Sequence, residues 1–126
     1  LRHVATIDAD TSDTIFLSDM PESWYAVTNR RRRVGFGMTW SRKVFPALWF
    51  WQVYGGAYDP PWHGRTYNIA LEPFSSIEGT VTEARAQNAA HVIEPGESLD
   101  AQFSAIAYEG IEGVSQISEE GCITGA

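Results

Sequence analysis

Val34-Gly-Phe-Gly-Met-Thr-Trp40, followed after a short break by Ala47-Leu-Trp-Phe-Trp-Gln-Val-Tyr54, carries the pattern that decides the fold class. The first stretch alternates: Val34, Phe36, Met38 and Trp40 point one way, and Gly35, Gly37 and Thr39 the other. A period of two belongs to a strand. Two glycines on one face predict that backbone or ligand packs closely there. The second stretch is apolar on both faces except at Gln52, which predicts a central strand covered by two layers.

Working outward, the same period recurs. Thr14–Asp19, Ser23–Thr28, Thr66–Glu72 and Ser98–Tyr108 read as strands, and the tail from Val114 holds a last one. In Ser98–Tyr108 the alternation separates Leu99, Ala101, Phe103, Ala105 and Ala107 from Ser98, Asp100, Gln102 and Ser104. Gly55-Gly56 stops the central strand, and Asp59-Pro60-Pro61 predicts a stiff, extended loop. Pro73 is expected to end the strand before it, and Pro95-Gly96-Glu97 to form a turn. Only Val81–Ala90 has helical composition, with Thr82 as its expected cap. The fold class is therefore all-β, an antiparallel β-sandwich with at most one short helix, in a single domain over residues 1–126.

Composition narrows the function classes. The chain has 126 residues, 44% hydrophobic and 20% charged, which is globular and not disordered. No apolar run reaches the ~20 residues of a membrane helix, so no membrane partner is expected. No signal-peptide core follows Leu1, and the expected location is cytoplasmic. Since Leu1 is not Met, the chain is expected to begin inside a longer product or after a removed leader or tag. The single cysteine, Cys122, excludes an internal disulfide. A net charge of −7 opposes a nucleic-acid partner, because phosphate binding needs a basic face. Six of the nine Lys and Arg residues nevertheless fall between Arg30 and Lys43. The run Arg30 to Arg33 reads either as an exposed hairpin connection or as an anion clamp.

The densest polar and aromatic cluster is Tyr58 to Glu72. Asn68, Ala70 and Glu72 share one face of their strand, and Tyr67, Ile69 and Leu71 the other. A carboxylate ending an apolar strand is a candidate general base if an apolar wall surrounds it, or an ion-pair partner of Arg65, or a solvated strand end. The three histidines, His3, His63 and His91, are widely spaced, and no metal site is expected from them. A small cupin-like metalloprotein using His63, His91 and Glu72 is a weaker alternative.

Pro46-Ala-Leu-Trp-Phe-Trp51, Tyr54-Gly-Gly56, Pro61-Trp-His-Gly-Arg65, Tyr67-Asn-Ile-Ala-Leu-Glu-Pro-Phe74 and Glu94-Pro-Gly-Glu97 together resemble aldose 1-epimerase-related proteins of the galactose mutarotase-like group. The likeness covers about Val34 to Gly110 and matches only the C-terminal part of that family's β-supersandwich. It implies a sugar or sugar derivative as partner, and aldose 1-epimerisation without cofactor or metal. It also implies Glu72 as the base that takes the anomeric proton. Trp49, Trp51 and Trp62 would offer ring faces to the pyranose, with His63, Arg65 and Asn68 as further contacts. Glu72 is expected to line a concave aromatic pocket. The family's acid His and its second sugar-binding His have no counterparts here. His63 matches neither and is the first candidate for a replacement acid. The isolated chain is therefore expected to bind without appreciable catalysis. A partial supersandwich leaves apolar surface uncovered, so a homodimer is expected, and a non-catalytic self-associating module is the alternative function.

Overall fold

The computed structural model describes residues 3–126. Among these residues a 3-10 turn (Ile7–Ala9), eight strands and one short α-helix follow one another. The strands and the helix are β1 (Thr11–Leu17), β2 (Trp24–Asn29), β3 (Val34–Trp40), β4 (Ala47–Tyr54), β5 (Tyr67–Phe74), α1 (Val81–Ala86), β6 (Phe103–Glu109), β7 (Val114–Ile117) and β8 (Ile123–Gly125). Sheet one has the order β1-β4-β5, sheet two β2-β3-β6, and β7 and β8 form a separate hairpin. All ladders between these strands are antiparallel, giving the expected all-β, sandwich-like fold. Among the described residues no helix is long and apolar enough to cross a membrane.

The core is centred on the chain from Trp40 to Tyr54. Trp40, Val44, Ala47, Leu48, Phe50, Val53 and Tyr54 are buried, joined by Ile117 and Ala84. Burying a side chain such as Phe50 contributes roughly 1.5–3 kcal/mol. The Trp40 indole donates to the Phe45 carbonyl at 2.9 Å, so its one polar atom is satisfied inside the core. β4 is the central strand of sheet one, as its two-sided apolar pattern predicts. Its Phe50 lies in one row with Ile15 and Leu71. Phe50, Ile69 and Leu71 line a cavity of about 420 Å³ together with Ala26, Val27 and Thr28 of β2, where the two sheets meet.

The glycine face of β3 is closely packed. A Cβ on Gly35 would clash with Cζ and the hydroxyl oxygen of Tyr108, and one on Gly37 would stand 2.5 Å from Ile117 Cδ1. The close neighbours are thus side chains of β6 and β7. The arginine run forms the turn between β2 and β3, and all four side chains are exposed. Asn29 Oδ1 accepts from the Arg32 amide at 3.0 Å, and Arg33 pairs with Glu112 at 3.6 Å while donating to the Gly110 carbonyl. Gly96, with φ +89, forms the expected turn, closed by the Glu97 amide donating to Glu94 O at 2.9 Å.

Four local expectations need correction. The helix stops at Ala86 and its cap is Thr80, not Thr82, because Thr80 Oγ1 accepts from the Glu83 amide at 3.2 Å. Asn88, at φ 56, then turns the chain away. Pro73 does not end β5; it pairs with Leu48, which an edge strand tolerates because its outward side needs no N–H donor. The loop after Asp59 coils instead of extending. The Trp62 and His63 amides both donate to Asp59 O, and Gly64 N donates to Ala57 O at 2.7 Å. Finally, β6 begins only at Phe103 and runs on to Glu109. Its half-buried face carries Ser104, Ile106 and Tyr108, leaving Phe103, Ala105 and Ala107 exposed. Ile106 and Tyr108 bury more surface than the alanines opposite them, and Tyr108 fits the bed left by Gly35.

Candidate functional site

β4 and β5 bring four of the candidate residues onto one face of sheet one. Trp49 and Trp51 are two residues apart and so project to the same side. The antiparallel register sets Glu72 directly across from Trp49, Ala70 across from Trp51, and Asn68 across from Val53. From the other flank, β1 adds Phe16 beside Trp49, Thr14 beside Trp51 and Ser12 beside Val53. Directly opposed residues hold their Cβ atoms about 4.5–5.5 Å apart, so Trp49 and Glu72 are immediate neighbours.

Trp49 is locked in place. Phe74 stacks on it with ring centroids 4.0 Å apart and an 11° interplanar angle, and Phe16 meets it edge-on at 4.8 Å. Its indole nitrogen donates to Ser76 O at 2.9 Å. One ring face of Trp49 is therefore already occupied. Trp62 arrives from the coiled loop between β4 and β5 and packs against Trp51, with centroids 5.3 Å apart at 60°. Phe16, Phe74 and Ser76 were not among the residues picked from sequence. The signal for Phe74 was present, since it lies two residues beyond Glu72 on the same face. Nothing local pointed to Phe16, which comes from a strand far upstream.

The Glu72 side chain is exposed and makes no ion pair or hydrogen bond among the described residues. The approach of Arg65 to Glu72 does not occur; the one ion pair found among the described residues joins Arg33 and Glu112. Strand geometry explains this. Arg65 belongs to the turn at the Tyr67 end of β5, and at ~3.3 Å per residue Glu72 lies about 17 Å further along the strand. The Arg65 side chain is exposed, and its amide donates to Trp62 O at 3.0 Å. His63 sits in the same turn, exposed and with φ 49. Asn68 is half-buried, and its Oδ1 is buried without a hydrogen-bond partner.

Glu72 and the three tryptophans line neither of two cavities that lie elsewhere on the molecule. The larger of these, about 1210 Å³, opens at the far end of sheet two between Trp24, Trp40, Arg42, Asp100 and Gln116. Some of its polar groups are bonded to one another, while Ser23 Oγ is buried without a partner. Glu22 accepts from Trp24 Nε1 at 2.6 Å and from Gln116 Nε2 at 3.4 Å, and Ser23 O accepts from Thr39 Oγ1 at 3.0 Å. The remaining histidines are engaged elsewhere. His91 Nε2 bonds Val44 O at 2.7 Å, and His3 lines the smaller cavity. Among the described residues no three His, Cys, Asp or Glu side chains converge as metal ligands would, so His63, His91 and Glu72 do not come together.

Comparison with protein-family models, with curated proteins and with solved structures finds no match to this chain.

Proposed function

We propose that this chain is a carbohydrate-binding, mutarotase-like β-domain whose ligand face is the row of Trp51, Trp62, Asn68 and Glu72 on sheet one. The observation that supports this reading most is the cross-strand register, which aligns Glu72, Ala70 and Asn68 of β5 with Trp49, Trp51 and Val53 of β4. A pyranose has an apolar C–H face and a rim of hydroxyls. Indole rings suit the first, and the exposed, unpaired Glu72 carboxylate suits the second. Ala70, small and opposite Trp51, leaves that indole uncrowded on the β5 side.

Within this reading Glu72 is the group that accepts a hydroxyl proton, and Trp49, clamped by Phe74 and Phe16, supports the site. Ring opening also needs an acid at the ring oxygen. His63 belongs to the turn at the opposite end of β5, and His91 is tied to Val44 O. The reading is therefore of binding without catalysis by the isolated chain.

Tryptophan fluorescence and calorimetric titration with glucose and galactose test it. Saturable binding is expected, abolished by Trp51→Ala. In Glu72→Gln it should weaken by the ~1.5–3 kcal/mol of a charge-assisted hydrogen bond. Stability of Glu72→Gln should stay within ~0.5 kcal/mol of the parent, since its carboxylate is exposed and unpaired. No binding, or binding indifferent to both substitutions, overturns the reading. Polarimetry with fresh α-anomers should show no acceleration; acceleration that Glu72→Gln removes would mean that the acid is supplied after all, and His63→Asn would be the next variant.

A further inference from the structure

Sheet two leaves one edge bare and, next to it, part of one face exposed, while Trp40 on that face is buried and Phe45 packs on Phe103. On the face opposite the glycines, the register places Phe36 between Val27 and Ala107, Met38 between Tyr25 and Ala105, and Trp40 beside Phe103. Phe36 is 42% exposed and Phe103 47%, and Ala105 and Ala107 are exposed between them. The edge is the outer side of β6, which pairs only with β3.

Among the outer strands of the two main sheets, β6 is the least protected. β5 carries Pro73 and Glu72, and β1 carries Asp13 at its middle. β2 is flanked by β7 and faces the cavity shared with sheet one. β6 reads Phe-Ser-Ala-Ile-Ala-Tyr-Glu, with no Pro, no Lys and a single charge at its end. Natural edges normally carry such devices, because a bare edge is a template for another strand.

We propose that the β6 edge and its apolar face are the docking surface for a second copy of this chain, with the two β6 strands pairing antiparallel about a two-fold axis at Ile106. The sequence of β6 fits itself in that register. Ala105 meets Ala107, Ser104 meets Tyr108 and Phe103 meets Glu109, so no like charges stand opposite each other. The side chains that such a pairing would cover are apolar and accessible, Phe36 at 42% and Phe103 at 47% with Ala105 and Ala107 between them. A closed two-fold pairing removes both bare β6 edges at once. This surface lies on the sheet opposite the Trp51–Glu72 face and stands or falls independently of the sugar reading.

Light scattering and sedimentation of the whole chain at micromolar concentration provide the test. The expected mass is twice 14.0 kDa. Ala105→Lys with Ala107→Lys puts like charges across the axis on exposed positions and should halve the mass while the circular dichroism stays that of the parent. Ser12→Lys, on the β1 edge, should leave the mass unchanged. In the parent protein, the outward β6 amides should be protected from hydrogen exchange and lose that protection on dilution, a readout that needs no variant. A monomer throughout the concentration range overturns the proposal. So does a dimer that survives the double lysine variant, or one whose outward β6 amides exchange as a free edge does.

Discussion

The ring of Tyr108 lies directly over Gly35, its register partner across β3 and β6. The phenol oxygen then shares a 2.6 Å hydrogen bond with Thr28 Oγ1 and approaches Val27 O at 3.3 Å. One side chain therefore spans all three strands of sheet two, and it does so only because position 35 has no Cβ. The same face continues at Gly37, where Ile117 of β7 settles over the sheet. Close packing at the glycines thus joins the β7–β8 hairpin to sheet two.

Gly35→Ala should be among the more damaging single-methyl additions to this protein. Overpacking costs roughly 1–3 kcal/mol, and the Tyr108 ring has little freedom to retreat while its hydroxyl is bonded to Thr28. Gly37→Ala should cost less, because the Ile117 methyl at 2.5 Å is the end of a side chain and the other close atom, Tyr25 O at 3.1 Å, needs to give only slightly. Urea denaturation with unchanged m-values measures both; equal losses, or none at Gly35, would contradict this packing.

Alkaline pH should destabilise the fold through Tyr25. Burial raises its phenol above the ordinary value of 10.0. A group whose pKa is raised on folding favours the folded state fully below its unfolded pKa, and that contribution is lost as pH rises through the folded pKa. The stability loss attributable to Tyr25 therefore begins near pH 10 and grows above it. Its hydroxyl reaches only Met38 Sδ, at 3.9 Å, so Tyr25→Phe should flatten this part of the pH profile at little cost at neutrality. Thermal denaturation of both proteins between pH 8 and pH 11, values spanning the ordinary tyrosine pKa, checks the difference.

Thr80→Ala should weaken α1 by about 1 kcal/mol, the usual cost of a lost N-cap. The Thr80 hydroxyl accepts from the Glu83 amide and also donates to Glu83 Oε2 at 2.8 Å, so one atom serves two contacts. Thr82→Ala should be nearly neutral, since Thr82 is exposed and has no capping contact. Hydrogen exchange at Glu83 and Ala84 distinguishes the two residues as caps.

Alternation was enough to read β3 to its ends, and β4 was legible as a run apolar on both faces, closed by Gly55-Gly56. The side-chain row Asn68, Ala70, Glu72 followed from the same period, as did the pairing of Trp49 with Trp51. Register between strands has no such local signature. That Glu72 stands opposite Trp49 depends on how β5 slides against β4, which the ladder between them sets, whereas its separation of about 17 Å from the turn holding Arg65 follows from strand extension alone. Which face of β6 turns inward was equally illegible, since both alternating sets contain apolar residues. Gly35 and Gly37 announced a close neighbour without naming it. Tyr108 and Ile117 lie far along the chain, and only the folded packing of β6 and β7 against β3 selects them.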